Sequence, residues 1–154
     1  MPVLPSRRSK SSGNCTVIAR SFDGEALDKE MRATPALKHI NVDVLEWIKD
    51  PRNLALEEDG NFGVFEYNWD HVYTGHYFFK VRGKEAKELS IRMLRIAFEE
   101  YEMQTVRGLT PIEHRGAVMM TRWLGFEDHG TIDTEAGPCW IFTLTRRQFE
   151  DKHQ

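Results

Sequence analysis

Residues Thr110–Phe126 read TPIEHRGAVMMTRWLGF and give the sharpest local signal in the chain. Thr110, Pro111 and Glu113 match a capping box, in which threonine is the N-cap, proline occupies the first helical position and glutamate the third. Gly125 is a typical residue just beyond the end of a helix. The segment therefore predicts a helix over 111–124 that places His114 in its second turn.

A longer amphipathic segment lies before it. Over 84–101, apolar residues recur at spacings of three and four, and charged residues occupy the other face. The apolar positions are Ala86, Leu89, Met93, Ala97 and Tyr101. This periodicity predicts a long helix with one buried side.

The remaining elements are shorter. Asp23 is the expected N-cap of a helix over 24–32, and Asn41 that of a helix over 42–49, which Asp50-Pro51 ends. Strands are predicted over 16–22, 54–57, 62–67, 72–81, 104–108, 126–133 and 139–145. This order predicts an α/β fold in which helices flank a mixed, mostly antiparallel sheet. It also predicts a flexible basic arm over 1–14, one domain over 15–146 and a charged tail over 147–154, which is either a frayed end or a contact.

Composition excludes several classes of protein. The formal net charge is -3, so a nucleic-acid partner is not expected. Cys15 and Cys139 are far apart and belong to no Cys/His cluster, which argues against a metal site and for free thiols in a reducing cytoplasm. No apolar run is long enough to span a membrane. The sequence predicts a cytoplasmic protein without a metal, and it leaves open whether the protein is a monomer or a homodimer.

The helix over 111–124 resembles a segment of the GNAT superfamily of acyl-CoA N-acyltransferases, and the similarity in element order extends over about 16–146. Many members carry N-x-x-A-x-x-x-Y-x-x-x-G-F here. Ala117 and Gly125-Phe126 match, whereas His114 stands where Asn is usual and Thr121 where Tyr is usual. The resemblance implies the family's fold and acetyl-CoA as cosubstrate.

A second segment, FFKVRGKEA over 78–86, is similar to the family's pyrophosphate loop, R/Q-x-x-G-x-G/A. With Ala86 at the last position, Val81 stands first and Lys84 fourth, so the motif is degenerate. A helix start offers unpaired N–H groups and a positive dipole end to phosphate, and Arg82 and Lys84 add positive charge. The expected cofactor-binding residues are Phe79, Val81, Arg82, Gly83, Lys84, Ala86 and His114.

Acetylation of an amine needs a base for the amine proton, hydrogen-bond donors for the developing oxyanion, and a proton or comparable help for the leaving thiolate. We expect His76, on the strand before the loop, to be the base, with Glu66 on the previous strand as the rival. The resemblance implies that a backbone N–H between Phe79 and Val81 supports the oxyanion. Thr121 occupies the usual position of the acid but is a poor proton donor.

Two functions remain open at this point. One is an acetyl-CoA-dependent N-acetyltransferase that acts on an unknown amine. The other is a non-catalytic protein, which the missing Tyr, the degenerate loop and the basic arm favour. The RGKEA helix start, His76 and the TPxxH before the last helix look most like small GNAT-like proteins of tailed bacteriophages, some of which are associated with virion assembly. The partner would then be a phage protein and the location the host cytoplasm. Most aromatic residues over 62–79 are expected to be core, with Trp69 the one most exposed.

Overall fold

The computed structural model describes residues 17–34 and 41–154. The helices are α1 (Gly24–Arg32), α2 (Val44–Trp47), α3 (Gly83–Glu100), α4 (Arg115–Leu124) and α5 (Arg146–Lys152). The strands are β1 (Ala19–Arg20), β2 (Leu54–Glu58), β3 (Asn61–Trp69), β4 (Val72–Phe78), β5 (Thr105–Pro111), β6 (Glu127–Thr134) and β7 (Gly137–Thr145). The arm over 1–14 lies outside the described residues.

Within the described residues the strands form one seven-stranded sheet in the order β1-β2-β3-β4-β5-β7-β6. Neighbours are antiparallel except β4 and β5, which are parallel because α3 connects them. The predicted mixed, mostly antiparallel sheet flanked by helices is therefore confirmed.

The two faces of the sheet are buried under different helices. Alternate side chains of β2, β3 and β5, such as Leu56, Phe65 and Val106, pack with α3 and Phe149 of α5. Their neighbours on the opposite face, such as Val64 and Phe78, pack with α1 and α2. Because register fixes which face each residue occupies, the same alternation decides where the polar residues of β3 and β4 project.

The start of α4 differs from the prediction. Thr110 and Pro111 extend β5 and pair with Trp140 and Cys139 of β7, so the helix begins only at Arg115. Pairing with β7 overrides the local capping signal, and the expected capping box does not form. The end of the helix is as predicted, with Gly125 in the left-handed conformation at φ 104°.

Smaller differences occur elsewhere. Of the strand predicted over 16–22, only Ala19–Arg20 pairs within the described residues, and residue 16 lies outside them. The helix predicted over 42–49 is shorter, because Asp43 rather than Asn41 accepts the capping hydrogen bond, from the N–H of Glu46. Asp23 caps α1 as expected.

The charged C-terminal segment is a helix and makes a contact, so it is not a frayed end. Thr145 and Gln148 form a complete capping box at the start of α5. Phe149 is buried and packs on Phe98 of α3 at a ring distance of 5.3 Å. The described structure therefore continues through a helix that packs on α3, beyond residue 146.

Candidate functional site

Strands β4 and β5 pair over only part of their length. Their register begins at Val72 and Thr105 and ends at Thr74 and Arg107. Beyond this point β4 stays paired with β3 up to Phe78, and β5 stays paired with β7. The two strands are therefore no longer paired with each other over residues 75–78 and 108–111, a stretch of about 13 Å along each strand, and they begin to separate after Gly75.

Two glycines mark the closed and the open end of this separation. A methyl group built at Gly75 would meet the side chain of Val106 at 2.9 Å, so the strands are in tight contact there. A methyl group built at Gly108 would meet no atom within 4 Å. The face of the sheet is therefore open at Gly108, in the stretch where β4 and β5 are no longer paired.

The start of α3 lies at the end of β4 that borders the opening. Arg82 precedes the helix in an extended conformation, and no side chain caps the first turn. Gly83 has φ +59°, a conformation that favours glycine. Arg82 and Lys84 are exposed and form no ion pair or hydrogen bond with any described residue. The free N–H groups, the helix dipole and two unpaired cations make this turn suited to an anion.

A buried side chain holds the loop that leads into this turn. Asn61 is 4% exposed, and its Oδ1 accepts hydrogen bonds from the N–H groups of Lys80 at 2.6 Å and Val81 at 3.2 Å. Its Nδ2 donates to the carbonyl oxygen of Glu58 at 3.0 Å. Because the two N–H groups turn to Asn61, β4 ends at Phe78 and not at Val81 as predicted.

The same anchor is tied to α3 itself. The buried carboxylate of Glu58 accepts from both terminal nitrogens of Arg92, at 2.7 and 3.2 Å. The hydrogen bonds to Glu58 raise the pKa of Arg92, which therefore keeps its charge. Glu58 thus connects the helix through its side chain and Asn61 through its carbonyl group.

His76 projects from β4 on the face that α1 and α2 cover, opposite Val64 of β3. Its ring stacks on Phe78 with a centroid distance of 6.2 Å and an interplanar angle of 8°. Burial lowers the pKa of His76 from its ordinary value of 6.5. The imidazole is therefore neutral at pH 7 and able to accept a proton.

Glu66 lies on the same face and is exposed. It pairs directly with Thr74, two residues before His76, so Glu66 and His76 are diagonal neighbours across β3 and β4. The two residues expected to compete for the role of base are thus brought to one surface beside the opening.

Thr121 does not fit the role of catalytic acid in this structure. Its hydroxyl donates to the carbonyl oxygen of Ala117, one turn earlier in α4, at 2.8 Å. The proton that the role requires is therefore already in a hydrogen bond within the helix.

The other expected cofactor-binding residues differ in what they offer a ligand. His114 is exposed but stands directly before α4, not in its second turn, and its side chain caps nothing. Ala86 is buried, so only its backbone is available to a ligand. The N–H of Val81 is bound by Asn61, which removes it as an oxyanion donor, whereas Phe79 stacks on Tyr77 at 4.9 Å and stays a candidate through its backbone.

Two negative findings apply to the described residues. Among residues 17–34 and 41–154, no three His, Cys, Asp or Glu side chains are grouped so that they could hold a metal ion. No helix over the same ranges has the length and apolar character needed to cross a membrane.

Comparison with known proteins finds likeness at the level of structure. No family model matches the chain, and no curated protein does. The spermidine N-acetyltransferase SpeG from Vibrio cholerae, as its F149A mutant, superposes with a TM-score of 0.71 at 12% identity over 90% of this chain and 99% of that one.

Two further solved structures give the same result. The aminoglycoside acetyltransferase AAC(6')-Ib, in complex with coenzyme A and kanamycin, superposes with a TM-score of 0.67 at 14% identity over 91% of this chain and 100% of that one. An acetyltransferase of the GNAT family from Bacillus anthracis gives 0.61 at 16% identity over 86% and 95%. The chain therefore has the fold of the GNAT acetyltransferases.

Proposed function

We propose that this protein is an acetyl-CoA-dependent N-acetyltransferase. The observation that carries the proposal is the separation of β4 from β5 directly beside the uncapped start of α3. This arrangement combines a slot with free backbone edges and a site for a diphosphate. Structural neighbours with coenzyme A bound support the same ligand.

The residues present fit acetyl-CoA in three places. The N–H groups of the first turn of α3 suit the diphosphate, and Arg82 and Lys84 supply charge-assisted hydrogen bonds. The parted edges of β4 and β5 suit a pantetheine arm, which needs donors and acceptors along its length. The space beside Gly108 admits its bulk. When bound, acetyl-CoA supplies the acetyl group as a thioester.

His76 is the residue that we propose as the base. Its neutral imidazole takes a proton from the acceptor amine as the nitrogen attacks. Glu66 lies on the same face and interacts with the cationic form of the incoming amine. No strong acid is required for the leaving group, because a thiol has a pKa of about 8.5 and leaves as a thiolate near neutral pH.

The first test is calorimetric titration with acetyl-CoA of the wild type and of Arg82→Glu. We expect micromolar affinity for the wild type and a loss of about tenfold or more in the variant, which corresponds to about 1.4 kcal/mol. Arg147→Glu is the matched control, because Arg147 is an exposed arginine on α5, after the end of β7 that pairs with the start of β5. Equal weakening in both variants, or no binding at millimolar acetyl-CoA, would contradict the proposal.

Turnover is tested next, with a panel of amines and detection of the thiol that is released. His76→Gln should lower kcat by about 100-fold, the usual contribution of a positioned base, and should leave acetyl-CoA affinity within about twofold. If His76→Gln retained full kcat, Glu66 would be the candidate base instead, and Glu66→Gln tests this alternative.

One observation favours the second candidate, a non-catalytic protein. Thr121 stands at the position of the usual acid, and its hydroxyl is bonded to Ala117. The resemblance to phage-encoded proteins of virion assembly stays a prediction. Co-purification with a phage structural protein, together with a lack of acetyl-CoA binding, would support this candidate, whereas specific binding with turnover would exclude it.

A further inference from the structure

Three neighbouring strands carry an aligned row of polar residues on the face that bears His76. Glu66 of β3 pairs with Thr74 of β4, and Thr74 pairs with Arg107 of β5. Directly paired residues project to the same face of a sheet. Glu66 and Arg107 therefore stand on either side of Thr74, with their backbones about 10 Å apart.

Arg107 is held in place without using its hydrogen-bond donors. Its guanidinium stacks on the ring of Trp69 at 4.9 Å, and Trp69 is 54% exposed. Among the described residues it forms no ion pair and no hydrogen bond. Stacking on one face orients the planar group and leaves its edge, with five N–H donors, directed at solvent.

Glu66, the acidic residue closest to Arg107 in strand register, does not form an ion pair with it. Glu66 also forms no ion pair or hydrogen bond with a described residue. Thr74 lies between the two and donates its hydroxyl hydrogen to Oδ1 of Asn68 at 2.8 Å. The surface thus presents an unpaired carboxylate and an unpaired guanidinium on either side of Thr74.

His76 lies next to this pair. It follows Thr74 by two residues on the same face, so its backbone is about 7 Å further along β4 than that of Thr74, the residue paired with Arg107. Across the opening, the side chain at the corresponding position of β5 is Leu109, which is 47% exposed. An amine at His76 is therefore within reach of Arg107 if a few bonds separate it from an anionic group.

We propose that the acceptor is an amine that carries a carboxylate, as an amino acid does, and that Arg107 binds this carboxylate. The inference rests on the proposed acetyltransfer, since it names the acceptor of the same site. A carboxylate matches the planar fork of a guanidinium and forms two parallel charge-assisted hydrogen bonds with it. Glu66 then faces the cationic amine, and His76 receives its proton.

The binding test does not depend on turnover. The chain has four tryptophans, so the NMR signal of the Trp69 indole N–H is assigned by its loss in Trp69→Phe. We expect this signal to shift when amino acids are added at millimolar concentration, and to stay in place with the matched amino acid amides. An equal shift with the amides, or no shift with any amino acid, would overturn the inference. Phosphoethanolamine that binds where amino acids do not would overturn the choice of carboxylate.

The kinetic test compares the same acids and amides as acceptors. Arg107→Met should raise KM for the amino acid by about tenfold or more, and leave KM for the amide within about twofold. Arg107→Lys should restore part of the affinity, because it keeps the charge and loses the planar fork.

Arg52→Met is the matched control for the kinetic test. Arg52 also stacks on an aromatic ring, that of Tyr67 at 5.1 Å, but it is paired with Asp50. Acetyl-CoA titration without acceptor tests the proposed function separately. Acetyl-CoA binding and turnover that do not distinguish acids from amides would refute this inference alone, whereas a lack of acetyl-CoA binding would refute the function.

Discussion

Replacement of Asn61 by alanine tests whether one buried amide positions the anion site. In the wild type this side chain accepts from the N–H groups of Lys80 and Val81 and donates to the carbonyl oxygen of Glu58. Alanine removes all three hydrogen bonds and leaves two backbone donors without a partner. At about 1 kcal/mol for each bond, the free energy of unfolding should fall by about 3 kcal/mol.

Asn53 offers an internal control of the same type. It is also a buried asparagine, 8% exposed, and its side chain accepts from the N–H of Tyr67 at 2.9 Å and donates to the carbonyl oxygen of Trp47 at 3.0 Å. Asn53→Ala loses two hydrogen bonds and should cost about 2 kcal/mol. It lies beside the far end of β3 from Asn61, so it should not disturb the start of α3.

Urea unfolding followed by tryptophan fluorescence measures both losses, and a stability of about 5–15 kcal/mol leaves both variants folded. Calorimetry then separates them. Asn61→Ala should lose about tenfold or more in acetyl-CoA affinity, and Asn53→Ala should stay within about twofold. The reasoning would be refuted if Asn61→Ala kept full affinity, or if both variants lost affinity equally. The result for stability stands whether or not acetyl-CoA is the ligand.

Three further predictions concern other residues of the candidate site and Thr121 of α4. Gly83→Ala should lower the free energy of unfolding by about 1–2 kcal/mol, because φ is +59°, although a methyl group there meets no neighbour. Gly108→Ala should leave urea unfolding nearly unchanged and should weaken acetyl-CoA binding, because the methyl group occupies the space beside Gly108. Burial lowers the pKa of His76, so below about pH 6.5 the unfolded chain binds a proton that the folded state does not. The free energy of unfolding should therefore fall as the pH drops through this range. Urea titrations at several pH values measure this trend, and His76→Gln should flatten it. Thr121→Val should change kcat by less than about twofold, because the hydroxyl is bonded to Ala117; a large fall in kcat would show that it acts on the reaction.

The elements that could be predicted from sequence are those whose signal is local. The long α3 shows its apolar face in spacings of three and four, and the observed helix, Gly83–Glu100, differs from the prediction by one residue at each end. Gly125 ends α4 as expected, since a left-handed residue is a requirement of the helix end alone. The helix α5 was not predicted, although its capping box, Thr145 with Gln148, is also a local signal of the form T-x-x-Q.

Where local and long-range interactions compete, the sequence gives the wrong boundary. Thr110-Pro111 has a strong capping pattern, yet β7 offers these residues strand pairing that extends β5. Asn61 is of a residue type that is common in turns, and nothing in the sequence connects it with Lys80, nineteen residues later. Such interactions depend on which strands become neighbours.

The sequence by itself indicated the order of the elements as far as β7, because that order follows from periodicity and turn residues. The expected phosphate site at the start of α3 and the candidate bases His76 and Glu66 came from the resemblance to the GNAT superfamily together with side-chain chemistry. Only the tertiary structure decided that β4 and β5 part after Thr74 and Arg107, and that Glu66, His76 and Arg107 share one surface. The physical reason is that strand register is set by packing on both faces of the sheet, through contacts between residues far apart in the chain.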